Sequence, residues 1–187
     1  MQDIELQIES LSHDGRGISH INGKVTFVEN ALPNEKVIAK ITRKNSKFNE
    51  AKTIKILTQS PIRVDPKCPH FTICGGCSYQ HLQHTEQLKH KQNLLLEHLK
   101  HFGQIHANKL LQPVTSSLWH YRHKARLGVK FVTKKGKVLV GFREKNSNLI
   151  ADIDSCPVLV QPMDSLIEKL KELITTLKTK NFIPQIE

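Results

Sequence analysis

Four cysteines carry the clearest chemical signal in the sequence. Cys68, Cys74 and Cys77 fall within ten residues as C-x5-C-G-G-C, and Cys156 follows after 78 intervening residues in Asp154-Ser155-Cys156-Pro157. In a chain kept in a reducing compartment disulfides are disfavoured, so metal ligation is the better reading. Four soft sulfur ligands suit a structural zinc ion and an iron–sulfur cluster alike. Zinc sites usually come as paired C-x2-C knuckles. Here a single C-x2-C has a five-residue lead-in and an isolated fourth cysteine before proline, a pattern nearer to that of a 4Fe-4S site. Gly75 and Gly76 leave space for backbone to wrap a bulky cube and to aim N–H groups at its sulfurs. Zinc, or four unligated buried thiols, are the alternatives on the same residues.

The other candidate ligands are eleven histidines, nine of them between residues 59 and 147. His70, His81, His84, His90, His98, His101, His106, His120 and His123 form no H-E-x-x-H and no His pair beside a carboxylate. His98 and His101, three apart, are a weak pair. These histidines read as surface residues, some adding positive charge at mildly acidic pH.

The elements that must position the cysteines begin with a small barrel. Ile4, Leu6 and Ile8 alternate, and further β-branched runs follow at residues 23–28, 35–42 and 49–57. Asp14-Gly-Arg-Gly17, Asn22-Gly23 and Pro33-Asn34 separate them, and Asn-Gly is the strongest short hairpin signal. The pattern predicts about five strands, the size of an oligonucleotide-binding barrel. Its order of DGRG, then NGK with FV, then ALPNE, resembles a TRAM domain, which implies an RNA-binding barrel of the kind attached to RNA-modifying enzymes. From Lys36 to Lys55 there are seven basic residues against one acid, Glu50. A solvated lysine-rich edge that discourages strand pairing is the plainer explanation of that run.

The barrel-like start, the C-x5-C-G-G-C and the distant Cys-Pro together resemble the 23S rRNA (uracil-5-)-methyltransferases of the RumA/RlmD type over essentially all 187 residues. The resemblance implies that Cys68, Cys74, Cys77 and Cys156 hold a 4Fe-4S cluster. It also implies an α+β chain of two parts. Residues 1–58 would be an OB-fold-like five-stranded TRAM barrel, and residues 59–187 a mixed α+β cluster domain, incomplete at its C-terminal end.

Charge locates the surface that would meet RNA. The chain carries 28 Lys and Arg against 17 Asp and Glu, a net +11, which points to a polyanionic partner. Residues 59–147 hold 15 basic and 4 acidic residues, whereas residues 1–58 hold 9 and 7 and residues 148–187 hold 4 and 6. Trp119 to Val132 alternates, with Tyr121, His123, Ala125, Leu127, Val129 and Phe131 on one face of a predicted strand. Arg122, Lys124, Arg126 and Lys130 share the other, where like charges repel unless a phosphate backbone neutralises them. Lys134 and Lys135 lie on a basic hairpin tip before Val138–Phe142. Arg16, Lys36, Lys40, Arg43, Lys44 and Lys47 are the corresponding candidates in the barrel. An ordinary solvated sheet face is the alternative, and Trp119, Tyr121 and Phe131 read as core. Between the two parts, Leu88, Leu95, Leu99 and Phe102 predict an amphipathic helix covering the cluster side of a sheet, capped at Gly103.

Methylating uracil at carbon 5 needs a thiolate to add at carbon 6, S-adenosyl-L-methionine as methyl donor, and a base for the carbon 5 proton. No glycine-rich cofactor turn, spare cysteine or carboxylate pair is present. The chain is therefore expected to be an N-terminal portion that binds ribosomal RNA without catalysing, the S-adenosylmethionine-binding domain being absent. The C-terminal run, a predicted helix over 163–178 followed by Phe182-Ile-Pro-Gln-Ile-Glu187, stops where a new strand begins. A standalone RNA-binding module and a zinc-stabilised interaction domain are the competing expectations. No window reaches the ~18 apolar residues of a membrane span, and acids stand where a secretion signal is basic and apolar, so a cytoplasmic, monomeric protein with no membrane partner is expected.

Overall fold

The computed structural model describes residues 3–187. They form two compact units whose sequences interleave: one holds residues up to Asp65 together with Ser78–Pro113, the other Pro66–Cys77 and Val114–Glu187.

Six strands make the first unit: β1 (Asp3–Gln7), β2 (Ser10–Leu11), β3 (Gly17–Ile21), β4 (Lys24–Glu29), β5 (Lys36–Lys44) and β6 (Asn49–Thr58). Their order is β1-β5-β6-β4-β3-β2. The two outer members are halves of one bent segment. β1 pairs with β5, and beyond Ile8 the chain crosses to β3, where Glu9 N–H donates to Ile18 O at 2.9 Å. The sheet thus closes on itself and leaves few free edges. Three register shifts along β5–β6 supply the coiling that closure needs. β3 was not foreseen as a separate strand, and β4 pairs with β6 in parallel. Asn22 (φ 50°) and Gly23 (φ 77°) form the expected tight turn between β3 and β4. The interior is filled by Leu6, Ile8, Val28, Val37, Ala31, Ala39 and Ala51, small side chains suited to a narrow barrel. Gly17 is needed among them, since a Cβ there would lie 2.8 Å from Ile8 Cγ2.

One charge sits inside this unit. Glu35 is fully buried, and its carboxylate accepts hydrogen bonds from Arg63 Nε (2.6 Å) and Nη2 (2.8 Å), Leu32 N–H (2.9 Å) and Ser60 N–H (3.2 Å). Such a pair is tolerable only because every oxygen is satisfied.

Helix α1 (His84–His101) also belongs to the first unit, so it does not cover the cysteine side of a sheet as its periodicity suggested. None of its residues is buried, and Leu95 and Phe102 are 59% and 84% exposed. The left-handed residue after it is Gln104 (φ 51°), not Gly103. His81, read from sequence as a surface residue, is buried beside Leu82 in the turn leading into α1.

The second unit is built on β7 (Leu127–Val132), β8 (Lys137–Gly141) and β9 (Gln185–Ile186), ordered β8-β7-β9 and antiparallel, with α2 (Ile167–Thr176) packed on β8. Its core joins Leu127 and Val129, Val138 and Val140, Ala151 and Ile153, and Ile167 and Ile174. The predicted strand 119–132 is extended pairing only from Leu127 onward. Upstream, His120 adopts φ 55° and Arg122 makes a single parallel bridge with Leu159, so the expected cationic strand face does not form. Tyr121 is half exposed, whereas Trp119 and Phe131 pack against the core as expected. The predicted helix 163–178 is shorter, and β9 is the strand expected near the end of the chain. Together the units make an α+β fold.

Candidate functional site

All four cysteines are free thiols in the second unit, on two loops. The first loop, Pro66–Cys77, is folded by local turns: Phe71 N–H donates to Cys68 O (3.1 Å) and Cys74 N–H to His70 O (2.8 Å). Gly75 N–H donates to Arg143 O (2.8 Å) and Lys145 N–H to Ile73 O (2.9 Å), which pins this loop to the segment after β8. The second loop presents Cys156, whose N–H donates to Asp164 O (3.1 Å). Cys74 and Cys156 are buried in one apolar cluster, with Cys77 packed against it.

The thiols also influence one another electrostatically. Burial pushes the Cys68, Cys74 and Cys156 thiols up, and Cys77 raises each of them further. Backbone N–H groups oppose this rise: that of His70 toward Cys68, that of Gly76 toward Cys74 (3.4 Å), and those of Val158 and Leu159 toward Cys156. N–H donors aimed at sulfur in an apolar surround are what stabilise thiolate ligands. A Cβ on Gly76 would lie 3.1 Å from the Phe142 ring and 3.4 Å from Cys74 Sγ, so a side chain here would crowd that ring. Among the described residues no group of three or more His, Cys, Asp or Glu is drawn close enough to hold a single metal ion. The side chains of Cys68, Cys74, Cys77 and Cys156 offer an all-sulfur donor set in a partly apolar surround.

His70 adds a contact that sequence reasoning missed. Its Nε2 lies 2.6 Å from Asp154 Oδ1, and this hydrogen bond holds the Asp154 carboxyl below its ordinary value. The available signal was positional, since His70 stands two residues after Cys68 and Asp154 two before Cys156.

The candidate RNA-binding cations separate into engaged and free. In the first unit Arg16 is engaged: it pairs with Asp14 (2.8 Å) and Glu50 (3.3 Å) and lies 4.6 Å over the Phe27 ring. Lys36 pairs with Glu5. Lys40, Arg43, Lys44 and Lys47 are exposed and make no ion pair among the described residues. Lys40 lies between Asp3 on β1 and Lys52 on β6. In the second unit Lys124 (2.7 Å) and Arg126 (3.1 Å) both bind Glu187, and Arg122 lies 5.5 Å over the Phe142 ring. Lys130 projects from β7. Lys134 and Lys135 occupy the β7–β8 turn closed by Gly136 (φ 59°), and all three lysines are exposed.

Residues 2–54 match the TRAM domain family. The chain is 49% identical to the 23S rRNA (uracil(1939)-C(5))-methyltransferase RlmD of Nitrosococcus oceani over 96% of its own length and 40% of that protein's. Against the same-named proteins of Chromobacterium violaceum and Hahella chejuensis the identities are 46% and 45%, over 96% and 100% of this chain and 35% and 42% of theirs. The chain is thus similar, along almost its whole length, to proteins named 23S rRNA (uracil(1939)-C(5))-methyltransferase RlmD. It spans roughly two-fifths of the length of these relatives. The crystal structure of the tRNA (uracil-54, C5)-methyltransferase of Pyrococcus abyssi, in complex with S-adenosyl-L-homocysteine, is also similar. The TM-score is 0.62 at 27% identity, over 91% of this chain and 36% of that one. The family resemblance read from DGRG, ALPNE and the cysteine spacing is thus upheld. Among the described residues no helix is long and apolar enough to cross a membrane.

Proposed function

We infer that the chain is the RNA-binding and iron–sulfur part of an S-adenosylmethionine-dependent 23S rRNA uracil-5 methyltransferase, acting in the cytoplasm as a monomer. What supports this reading is that Cys74 and Cys156, from two loops, lie in one apolar cluster with Cys77 packed against it, in a chain that aligns almost end to end with rRNA uracil-C5 methyltransferases. In this reading residues 1–58 contact RNA as the TRAM barrel and the following segment carries the cluster.

Cys68, Cys74, Cys77 and Cys156 would hold a 4Fe-4S cluster, whose contribution here is a four-point cross-link between the 66–77 loop and the 154–159 loop. The Gly76, Val158 and Leu159 N–H groups support the thiolates. Lys134 and Lys135 are free to neutralise phosphates, whereas Lys124 and Arg126 must first leave Glu187. S-adenosylmethionine, when bound by the whole enzyme, supplies the methyl group that reaches carbon 5 of uracil.

Anaerobic purification followed by an absorbance scan and metal analysis tests the cluster. Iron and acid-labile sulfide in equal amounts with broad visible absorbance are expected, and a colourless protein with stoichiometric zinc would overturn the assignment. Filter binding to a 23S rRNA stem-loop tests the RNA role, for which affinity should fall steeply with salt.

A further inference from the structure

One cavity of the first unit is untouched by the reading above. It has a volume of about 750 Å³ and opens at one end of the barrel, where β1, β3, β4, β5 and β6 each contribute a residue. Ile4, Ile21 and Ile41 line its floor, and Lys24, Arg43 and Lys44 stand around it. Arg43 and Lys44 are exposed and make no ion pair among the described residues. Lys24 is held in place by donating to Asn45 O. The sole acid lining the cavity is Asp3, which leaves a net positive rim above an apolar floor.

The volume lies within the ~300–1,000 Å³ typical of small-ligand sites, which are likewise mostly apolar with a few placed polar groups. An apolar floor rewards a flat, weakly hydrated ring. A cationic rim rewards the phosphate attached to it. An unstacked nucleotide satisfies both, whereas a base inside a duplex offers no face to the floor.

We propose that this cavity takes a single unpaired nucleotide of the RNA, its base on Ile4, Ile21 and Ile41 and its phosphate on Arg43 and Lys44. The proposal rests on the RNA-binding reading and specifies which RNA the barrel prefers: a single-stranded stretch beside the stem. Charge complementarity at the rim is what selects this occupant over an apolar peptide or a lipid chain.

The test uses the full chain with a single-stranded ribo-oligonucleotide carrying one 2-aminopurine, and the same strand annealed to its complement. Binding of the single strand should change the 2-aminopurine emission and be at least tenfold tighter than binding of the duplex. Arg43→Ala with Lys44→Ala should weaken single-strand binding about tenfold and flatten its salt slope by roughly 1.4, the contribution of two phosphates on a single strand. Ile21→Glu, which puts a charge on the apolar floor, should abolish the emission change, with folding checked by its melting curve. Unaltered single-strand affinity and emission in both folded variants would overturn the cavity assignment while leaving RNA binding intact. Absence of any RNA binding by the unmodified chain would instead overturn the underlying reading. Retention on phosphatidylserine vesicles in preference to the oligonucleotide would overturn the choice of occupant.

Discussion

His70 Nε2 and Asp154 Oδ1, 84 residues apart in sequence, lie 2.6 Å from each other and join the two loops that carry the four cysteines. The loops are short of regular secondary structure, so a cross-loop contact is needed to hold Cys68 and Cys156 at one spacing. If the four cysteines hold a cluster as proposed, His70 and Asp154 would act as positioning residues through the loops, not on the bound group itself.

Replacing Asp154 with Asn should therefore alter stability by less than about 1 kcal/mol, since the carboxylate is mostly exposed. Its effect should appear as several-fold faster bleaching of the visible absorbance in air. A bleaching rate equal to that of the unmodified chain, in protein with full iron content, would argue against a positioning role.

Gly76→Ala tests the tightness of the cysteine turn. The added methyl group must push on Phe142 or on Cys74 Sγ, both within 3.4 Å. Overpacking of this kind costs roughly 1–3 kcal/mol, and iron per chain should fall together with the melting temperature. Full iron retention at unchanged stability would show that the turn has slack.

In the barrel, Arg63→Ala strands the buried Glu35 carboxylate with only backbone donors. Loss of one partner of a buried pair costs about 3–5 kcal/mol, read from the denaturant midpoint. Glu35→Gln should also destabilise, because the amide nitrogen is a donor and would replace an oxygen that accepts from Arg63 and from either Leu32 or Ser60 N–H. Equal midpoints for Arg63→Ala and the unmodified chain would contradict the buried-pair reading.

The pH dependence of the second unit should reflect Asp152. Burial by itself would raise its carboxyl, but hydrogen bonds from Lys137 and Lys171 outweigh that and hold it below the ordinary 3.8. A carboxylate with a lowered native value contributes stability that is present above its unfolded value and is lost as pH falls through the native one. Lys171 is displaced the other way, burial lowering it and its Asp152 and Glu168 bonds raising it above 10.5, so its contribution is lost only as pH rises past that range. Melting curves at stepped pH should show an acid limb beginning near pH 4, and Asp152→Asn should flatten it. An unchanged acid limb in that variant would remove Asp152 as its cause.

Lys134→Ala with Lys135→Ala should reduce the salt slope of stem-loop binding by about 1.4–1.8 without lowering the melting temperature, because these side chains make no ion pair among the described residues. Lys124→Ala should reduce it less, since that lysine already spends its charge on Glu187.

Much of this was legible in the sequence because it depends on local periodicity and turn chemistry. Alternation at Ile4, Leu6 and Ile8 and the left-handed pair Asn22-Gly23 each act over a few residues, and each appears in the fold as expected. The α+β class and the position of the positive charge follow from the same short-range information.

Partner choice was not legible, because it is decided by residues far away in the chain. Arg16 reads as a free cation until the barrel closes and brings Glu50 and Phe27 to it. The alternation of residues 119–126 reads as a strand, but a strand exists only where another offers its hydrogen bonds. At Leu127 β9 does so, and before it the chain turns at His120 and meets a single bridge. The sequence by itself determined which residues have the chemistry to bind RNA and to ligate through sulfur. Tertiary structure alone decided which cations keep their charge unpaired and that Cys156 meets the 66–77 loop, because burial and ion pairing depend on distances that chain order does not encode.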